Sequence, residues 1–250
     1  MTKAQIDVRS DQAAVAEHAG ALFVSTLSTA LGRDSAPVHV VVTGGSTGIA
    51  VLRSIRERGA GLDWSRVHVW WGDERFVPGG DRDRNDLQAD DALLSHVRID
   101  PAHVHRVATS DGACGDDPDA AAAAYAAELA RYAADGEPCP RFAVLMLGVG
   151  EEGHTASIFP QSPAATDPRP VCAVRDCPKP PPTRVSLTFG ALSNADEVWL
   201  MTTGAGKAEA VAAAIGGADP RDIPAAGPTG RTATRWLLDE SAAALIRREA

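Results

Sequence analysis

The residues best suited to chemistry lie between 141 and 160. An apolar run, Phe142 to Leu147, ends in Gly148, Gly150 and Gly153, with Glu151, Glu152 and His154 among them. A continuous apolar run suits a strand buried on both faces. The glycines let the chain turn sharply or approach a ligand closely. His154 then sits just beyond the carboxyl end of a strand, where open α/β sheets place their ligands. An imidazole has the intrinsic proton affinity of a general base near neutral pH. A carboxylate two residues away, Glu152, is placed to fix its tautomer and stabilise the imidazolium, as in hydrolase triads.

Four further groups could join it. Thr43-Gly44-Gly45-Ser46-Thr47-Gly48 links a strand to a helix. Backbone N–H groups at a helix start favour an anion, and glycines permit its close approach. The same loop would also serve as a tight turn with Ser46 or Thr47 as N-cap. Asp73-Glu74-Arg75 follows the Val67–Trp71 strand, and Arg75 could bind phosphate or stabilise an oxyanion. Arg184 opens a later strand. Lys207 lies at a glycine-flanked strand-to-helix turn. On an acidic chain of net charge −9, such cations at one sheet edge stand out, and with the 43–48 loop they would clamp a phosphate.

Other features are decoys. Thr-Gly-x-x-x-Gly-Ile-Ala resembles the cofactor turn of short-chain dehydrogenases, but the Tyr-x-x-x-Lys pair is missing: Tyr125 is followed four places on by Leu129 and Tyr132 by Gly136. Gly148-x-Gly150-x-x-Gly153 matches the dinucleotide fingerprint formally, yet Pro160 closes the segment before a long helix could follow. His103 and His105 lack a third metal ligand nearby and read as surface residues. His18, His39, His68 and His96 show no constellation. Cys114, Cys139, Cys172 and Cys177 fit no common zinc spacing and read as free thiols.

Strands and helices alternate along the chain. Helices are expected over 10–31, 49–58, 87–95, 117–132, 208–215 and 240–248, and strands over 38–42, 67–71, 142–147, 184–189, 198–202 and 234–238. Residues 81–86 read as a charged loop, and 160–183, with its Pro-Lys-Pro-Pro-Pro run, as an extended one. The adjacent Trp70 and Trp71 should face opposite sides of the sheet. This is the pattern of one α/β domain over 1–250, with a mostly parallel, doubly wound, Rossmann-like sheet covered by helices on both faces. No run of 18 apolar residues suggests a membrane span, and residues 1–8 lack signal-peptide character, so a cytoplasmic location is the default. The negative charge argues against nonspecific nucleic-acid or membrane binding.

The order of the junctions is also informative. Thr-Gly-Gly-Ser, Trp-Gly-Asp-Glu-Arg-Phe-Val-Pro, Gly-Val-Gly-Glu-Glu-Gly-His-Thr-Ala-Ser-Ile-Phe-Pro, Arg-Val-Ser-Leu-Thr-Phe and Gly-Ala-Gly-Lys-Ala-Glu-Ala-Val occur in that sequence. From about residue 40 to 240 the chain resembles the 6-phosphogluconolactonase family. The resemblance implies the fold shared with glucosamine-6-phosphate deaminases and ribose-5-phosphate isomerases. It implies hydrolysis of 6-phospho-D-glucono-1,5-lactone without cofactor or metal. The family's proposed general base falls on His154 and a substrate-binding arginine on Arg75. Phosphate-binding positions of the superfamily fall on Gly45, Ser46, Arg184 and Lys207. Gly44 and Asp73 flank these and complete the candidate set. The small-molecule partner would be a sugar-phosphate lactone, bound by a monomer or weak homo-oligomer.

One position departs from that pattern: the family usually has Asp-Gly-His where this chain has Glu152-Gly153-His154. The related deaminases carry Gly-His-Ile-Ala-Phe-Asn-Glu-Pro, whose glutamate serves ring opening; here Phe159 precedes the proline. A sugar-phosphate sensor on this fold would need a DNA-binding segment, and the first forty residues hold one helix and no basic helix-turn-helix.

Overall fold

In the computed structural model the described residues are 4–247. Six strands form one parallel sheet: β1 (Gln5–Arg9), β2 (Val38–Val42), β3 (Val67–Trp71), β5 (Phe142–Gly148), β8 (Ala195–Thr202) and β9 (Ala233–Asp239). Their order is β1-β9-β8-β5-β2-β3. From β2 the chain goes outward to β3, then returns to add β5 on the other flank. The junction of β2 and β5 is therefore the topological switch point, where the loops leaving the two carboxyl ends diverge and open a crevice.

Alternation along these strands feeds two cores. Val40, Val42, Trp71, Val144, Met146, Trp199 and Leu237 face one layer; Val41, Trp70, Leu145, Leu147, Val198 and Leu200 face the other. The adjacent tryptophans thus lie on opposite faces, as expected. The first layer is built on α1 (Gln12–Leu31) and α2 (Gly45–Arg58), with α3 (Asn85–Ala92) beside them. In α1, Val15, Ala19, Phe23 and Leu27 recur at helical spacing on the buried face, and Asp11 caps its start by accepting from the Ala14 N–H at 2.9 Å. Gly20 lets α1 lie against α2: a Cβ there would stand 2.2 Å from Ser54 Oγ.

The second layer holds α4 (Pro118–Ala130), the short α5 (Phe189–Leu192) and α6 (Ala208–Ile215). Asp117 and Pro118 start α4 as cap and first-turn proline. The Tyr125 hydroxyl of α4 accepts from the Trp71 N–H (2.9 Å) and donates to the Trp71 carbonyl (3.2 Å), which pins the helix to the end of β3.

Several expectations need correction. The sheet is not the only one: β4 (Asp73–Arg75), β6 (Val171–Val174) and β7 (Arg184–Leu187) form a three-stranded antiparallel sheet in the order β4-β7-β6. The 160–183 stretch thus contains a strand, four residues long between prolines. β1 was not anticipated; it is an edge strand whose Ile6 and Val8 stay exposed, so it lacks a buried apolar run. Residues 240–245 form turns rather than a helix; the end of that expected helix, 248, lies outside the described residues. The 81–86 loop is not simply solvated, since Arg84, Asn85 and Asp86 are buried. His105 is buried as well and makes a stack with His39, His68 and His103 at the amino end of β2 and β3. No helix among the described residues is long and apolar enough to cross a membrane.

Candidate active site

A cleft of about 170 Å³ opens at the switch point. Thr43, Gly44 and Gly45 enter it from β2, Asp73, Arg75 and Asn85 from the segment after β3, and Gly148, Gly150, His154 and Ala156 from β5. Arg184 of β7 and Lys207, before α6, complete the wall. Of the nine candidate site residues named from sequence, seven line this cleft; Ser46 and Glu152 do not. A larger depression of about 810 Å³ lies under the proline-rich loop, beside Glu152. It gathers no loop from β2, β3 or β8, so the smaller cleft is the candidate site.

The His154 ring stacks on Phe159, with centroids 4.5 Å apart and planes 26° from parallel. Glu152 Oε1 stands 3.1 Å from His154 Nδ1, within ion-pair distance but out of line for a hydrogen bond. Burial lowers the proton affinity of the imidazole, against the opposing pull of Glu152, so the ring is neutral at pH 7. Burial alone would raise the Glu152 carboxyl. Lys179, whose Nζ donates to Oε2 at 2.9 Å, and His154 outweigh that and hold it at about 2. Two glycines are required by this geometry. A Cβ on Gly150 would lie 1.9 Å from His154 Nδ1. Gly153 has φ 86°, a conformation that favours glycine.

The other wall is a buried polar lattice. Asp73 accepts from Ser157 Oγ at 2.6 Å and faces Arg184 Nη1 at 3.8 Å. Arg75 Nη1 donates to Asn85 Oδ1 and to the Asp83 carbonyl, both at 2.6 Å. Asn85 Nδ2 donates to the Asp73 carbonyl at 2.9 Å. Glu74 points away from the cleft. Its carboxylate accepts from the N–H groups of Arg75, Asn85 and Asp86 at 2.7–2.9 Å and so caps the start of α3. Burial and the neighbouring Asp86 push Glu74 up to about 7, against the pull of Arg84.

The 43–48 loop differs from its expected capping. Helix α2 begins at Gly45, its N-cap is Gly44, and no side chain caps it. Ser46 turns instead toward Gln12, whose Nε2 donates to its hydroxyl at 3.2 Å, and its side chain is not in the cleft wall. Thr47 bonds Thr203 at 2.9 Å. The first-turn N–H groups of α2 are therefore free of side-chain caps, as an anion site requires. Gly45 has φ 78° and Gly44 no room for a Cβ, which would strike Asn85 Oδ1 at 1.9 Å. Among the described residues Lys207 makes no ion pair, whereas Arg184 is engaged by three loop carbonyls, those of Lys179, Pro180 and Pro181, at 2.8–3.2 Å.

Sequence reading missed Asn85, Ser157 and Lys179. Asn85 sits in a charged run that disguises its burial. Ser157 is three residues after His154, and that proximity was the signal available. No group of three or more His, Cys, Asp or Glu among the described residues is arranged to hold a metal ion.

The chain is similar over nearly its whole length to proteins of one family. The family profile described as glucosamine-6-phosphate isomerases/6-phosphogluconolactonase matches residues 10–236. The 6-phosphogluconolactonase of Mycobacterium tuberculosis is 49% identical over 242 residues, 96% of this chain and 98% of that protein. The structure of 6-phosphogluconolactonase from Trypanosoma cruzi superposes with a TM-score of 0.84 at 26% identity, over 98% of each chain. A monomeric glucosamine-6-phosphate deaminase shares the fold at TM-score 0.77 and 16% identity, over 96% of this chain and 99% of that one. The chain belongs to the glucosamine-6-phosphate isomerase/6-phosphogluconolactonase family.

Proposed function

We propose that this chain hydrolyses 6-phospho-D-glucono-1,5-lactone to 6-phosphogluconate by direct attack of water, with His154 as general base. The observation that carries the mechanism is an imidazole flanked by a carboxylate at 3.1 Å, in a cleft that also holds Arg75, Arg184 and Lys207. A lactone is an activated ester, so water needs one base and some stabilisation of the oxyanion. With Nδ1 turned toward Glu152, Nε2 takes the proton as the water oxygen bonds to C1. The tetrahedral intermediate collapses, the bond from C1 to the ring oxygen breaks, and that oxygen receives the proton back from the imidazolium. Glu152 stabilises the transient imidazolium.

Arg75 is the cation for the developing oxyanion: Asn85 and the Asp83 carbonyl fix Nη1, and buried Nε has no protein partner. Lys207, Arg184 and the uncapped start of α2 bind the phosphate at the far end and so orient C1 toward the base. Gly44, Gly45 and the Ser46 N–H serve that anion, and Asp73 orients Arg184. The chain works as one domain in the cytoplasm, as a monomer or weak homo-oligomer, with no nucleic-acid or membrane partner. Phe159, stacked under His154, leaves no acid where the deaminases carry glutamate.

The test is lactone hydrolysis measured against the spontaneous rate, with glucosamine 6-phosphate as control. His154→Gln should lower kcat at least about a hundredfold, the usual scale for a lost general base, with binding largely kept. A near wild-type kcat in that variant would refute the assignment, and ammonia release from the control would favour the deaminase reading.

A further inference from the structure

The carboxylate beside the candidate base is shared. Glu152 offers Oε1 to His154 Nδ1 at 3.1 Å and Oε2 to Lys179 Nζ at 2.9 Å. Lys179 comes from a different part of the chain, the loop between β6 and β7, and that loop is built to hold it. Pro178, Pro180, Pro181 and Pro182 restrict the backbone around it. The Cys177 N–H donates to the Pro182 carbonyl at 2.9 Å and closes the loop. Arg184 donates to the Lys179, Pro180 and Pro181 carbonyls from inside the molecule. An exposed lysine normally loses much side-chain freedom when it pairs; here the rigid backbone delivers its stem already positioned.

We propose that Lys179 is a positioning residue for the hydrolysis: it holds one oxygen of the Glu152 carboxylate so that only the other is offered to the His154 ring. The inference rests on the assignment of His154 as the base. Its consequence follows from the charges. Glu152 and Asp73 favour the imidazolium, while burial and Lys179 disfavour it. Arg75, Arg184 and Lys207 line the same cleft, and their positive charge acts in the same direction as Lys179. A full carboxylate without Lys179 would make the base more basic and leave it protonated at a pH where the wild-type ring is free to work. Lys179 thereby keeps the base active toward lower pH. Glutamate suits this arrangement, since its longer side chain reaches both partners at once.

The test uses the full chain, as wild type, Lys179→Met and Lys179→Arg. The loop pair is partly exposed and contributes little to folding, so the variants should fold; circular dichroism checks this. Two readouts are taken across pH 5 to 9: kcat/KM corrected for spontaneous opening, and the titration of the His154 ring by NMR of Cε1-labelled histidine, assigned with His154→Gln. Lys179→Met should move the acid limb of kcat/KM and the His154 titration upward together by about 0.5 to 1 pH unit, the effect of one partly screened charge near the ring. Lys179→Arg should restore both. An unmoved titration overturns the proposal. So does a raised KM with the acid limb in place, which would make Lys179 a substrate ligand. If wild type opens the lactone no faster than water does, the proposed function fails, while the NMR titration still decides the role of Lys179.

Discussion

The two ends of the parallel sheet treat histidine in opposite ways. At the amino end, four imidazoles are packed into an aromatic stack. His105 lies 3.7 Å from Trp70 and nearly parallel to it, and His68 stacks on His103 at 4.0 Å. Three of the four rings bond to one another or to fixed partners, while His103 Nδ1 is buried without one. His68 Nδ1 meets His105 Nε2 at 2.9 Å, His105 Nδ1 meets Glu128 at 2.9 Å, and Trp70 Nε1 donates to His39 Nδ1 at 3.1 Å. Burial pushes His39 down to about 3 and His68 down to about 4, with the neighbouring imidazoles adding to it. At the carboxyl end a single ring is half-buried, with a carboxylate beside one nitrogen and an open cleft beside it. The lesson is that imidazoles in number do not make a reactive site. A proton acceptor needs access on one side and a charge partner on the other.

The sharpest way to break this comparison is to displace the ring at the carboxyl end while leaving its chemistry intact. Gly150→Ala places a Cβ where His154 Nδ1 and Glu152 Oε2 now stand, at 1.9 and 2.7 Å. Gly150 has no positive φ, so alanine is acceptable to the backbone and the cost falls on the two side chains. We expect kcat to drop about a hundredfold, the scale of a misaligned reacting group, with a smaller change in the thermal midpoint. Wild-type kcat in this variant would mean that ring placement does not set the site.

A smaller effect is expected one step from the chemistry. Asn85→Ala removes the Oδ1 acceptor that fixes Arg75 Nη1. A charge-assisted hydrogen bond of this kind is worth about 1.5–3 kcal/mol, so kcat/KM should fall by about tenfold or somewhat more. Because Asn85 acts through Arg75, adding Asn85→Ala to Arg75→Ala should cost little beyond Arg75→Ala alone. Full additivity in that double-mutant cycle would separate the two residues.

What the sequence disclosed follows from locality. His154, Glu152 and the glycines around them lie in one segment, behind an apolar run that identifies its own strand. The Gly44-Gly45 loop and Lys207 repeat that grammar at β2 and β8. Contacts between distant segments were hidden. Lys179 reaches Glu152 from a loop 27 residues on, whose prolines masked strand β6. Arg84, Asn85 and Asp86 look solvated by composition, yet Glu74 and Arg84 compensate one another in the interior. The histidine stack is built from positions 39, 68, 103 and 105, and only the pairing of β2 with β3 and of Val69 with Val104 brings them together. Ser46 has the right type for a cap or ligand, but Gln12 from α1 claims its hydroxyl.

The smallest expected effect sharpens the contrast from the amino end. His39→Asn supplies an amide oxygen close to where Nδ1 accepts from Trp70, and it removes a titrating ring. Lost ring contacts with His68 and Tyr132 should cost about 1 kcal/mol at pH 7.5, and kcat should stay within about twofold because the cleft lies at the other end of the strands. The pH dependence then separates the proteins. A histidine held near 3 in the folded chain, against its ordinary 6.5 when unfolded, stabilises the fold fully above pH 6.5. That stabilisation drains away as the pH falls toward 3, because the unfolded chain takes up a proton that the folded one refuses. The variant escapes this loss, which amounts to at most about 1.4 kcal/mol per pH unit and less for a ring that is only partly buried. Its deficit should therefore shrink below pH 6.5 and vanish near pH 5, as read from urea unfolding at pH 7.5, 6 and 5. Glu74, raised to about 7, gives a slope of the opposite sign, but it is common to both proteins and cancels in the difference. Parallel stability curves across this range would mean that His39 takes up its proton within the fold, and the two ends of the sheet would then differ in geometry alone.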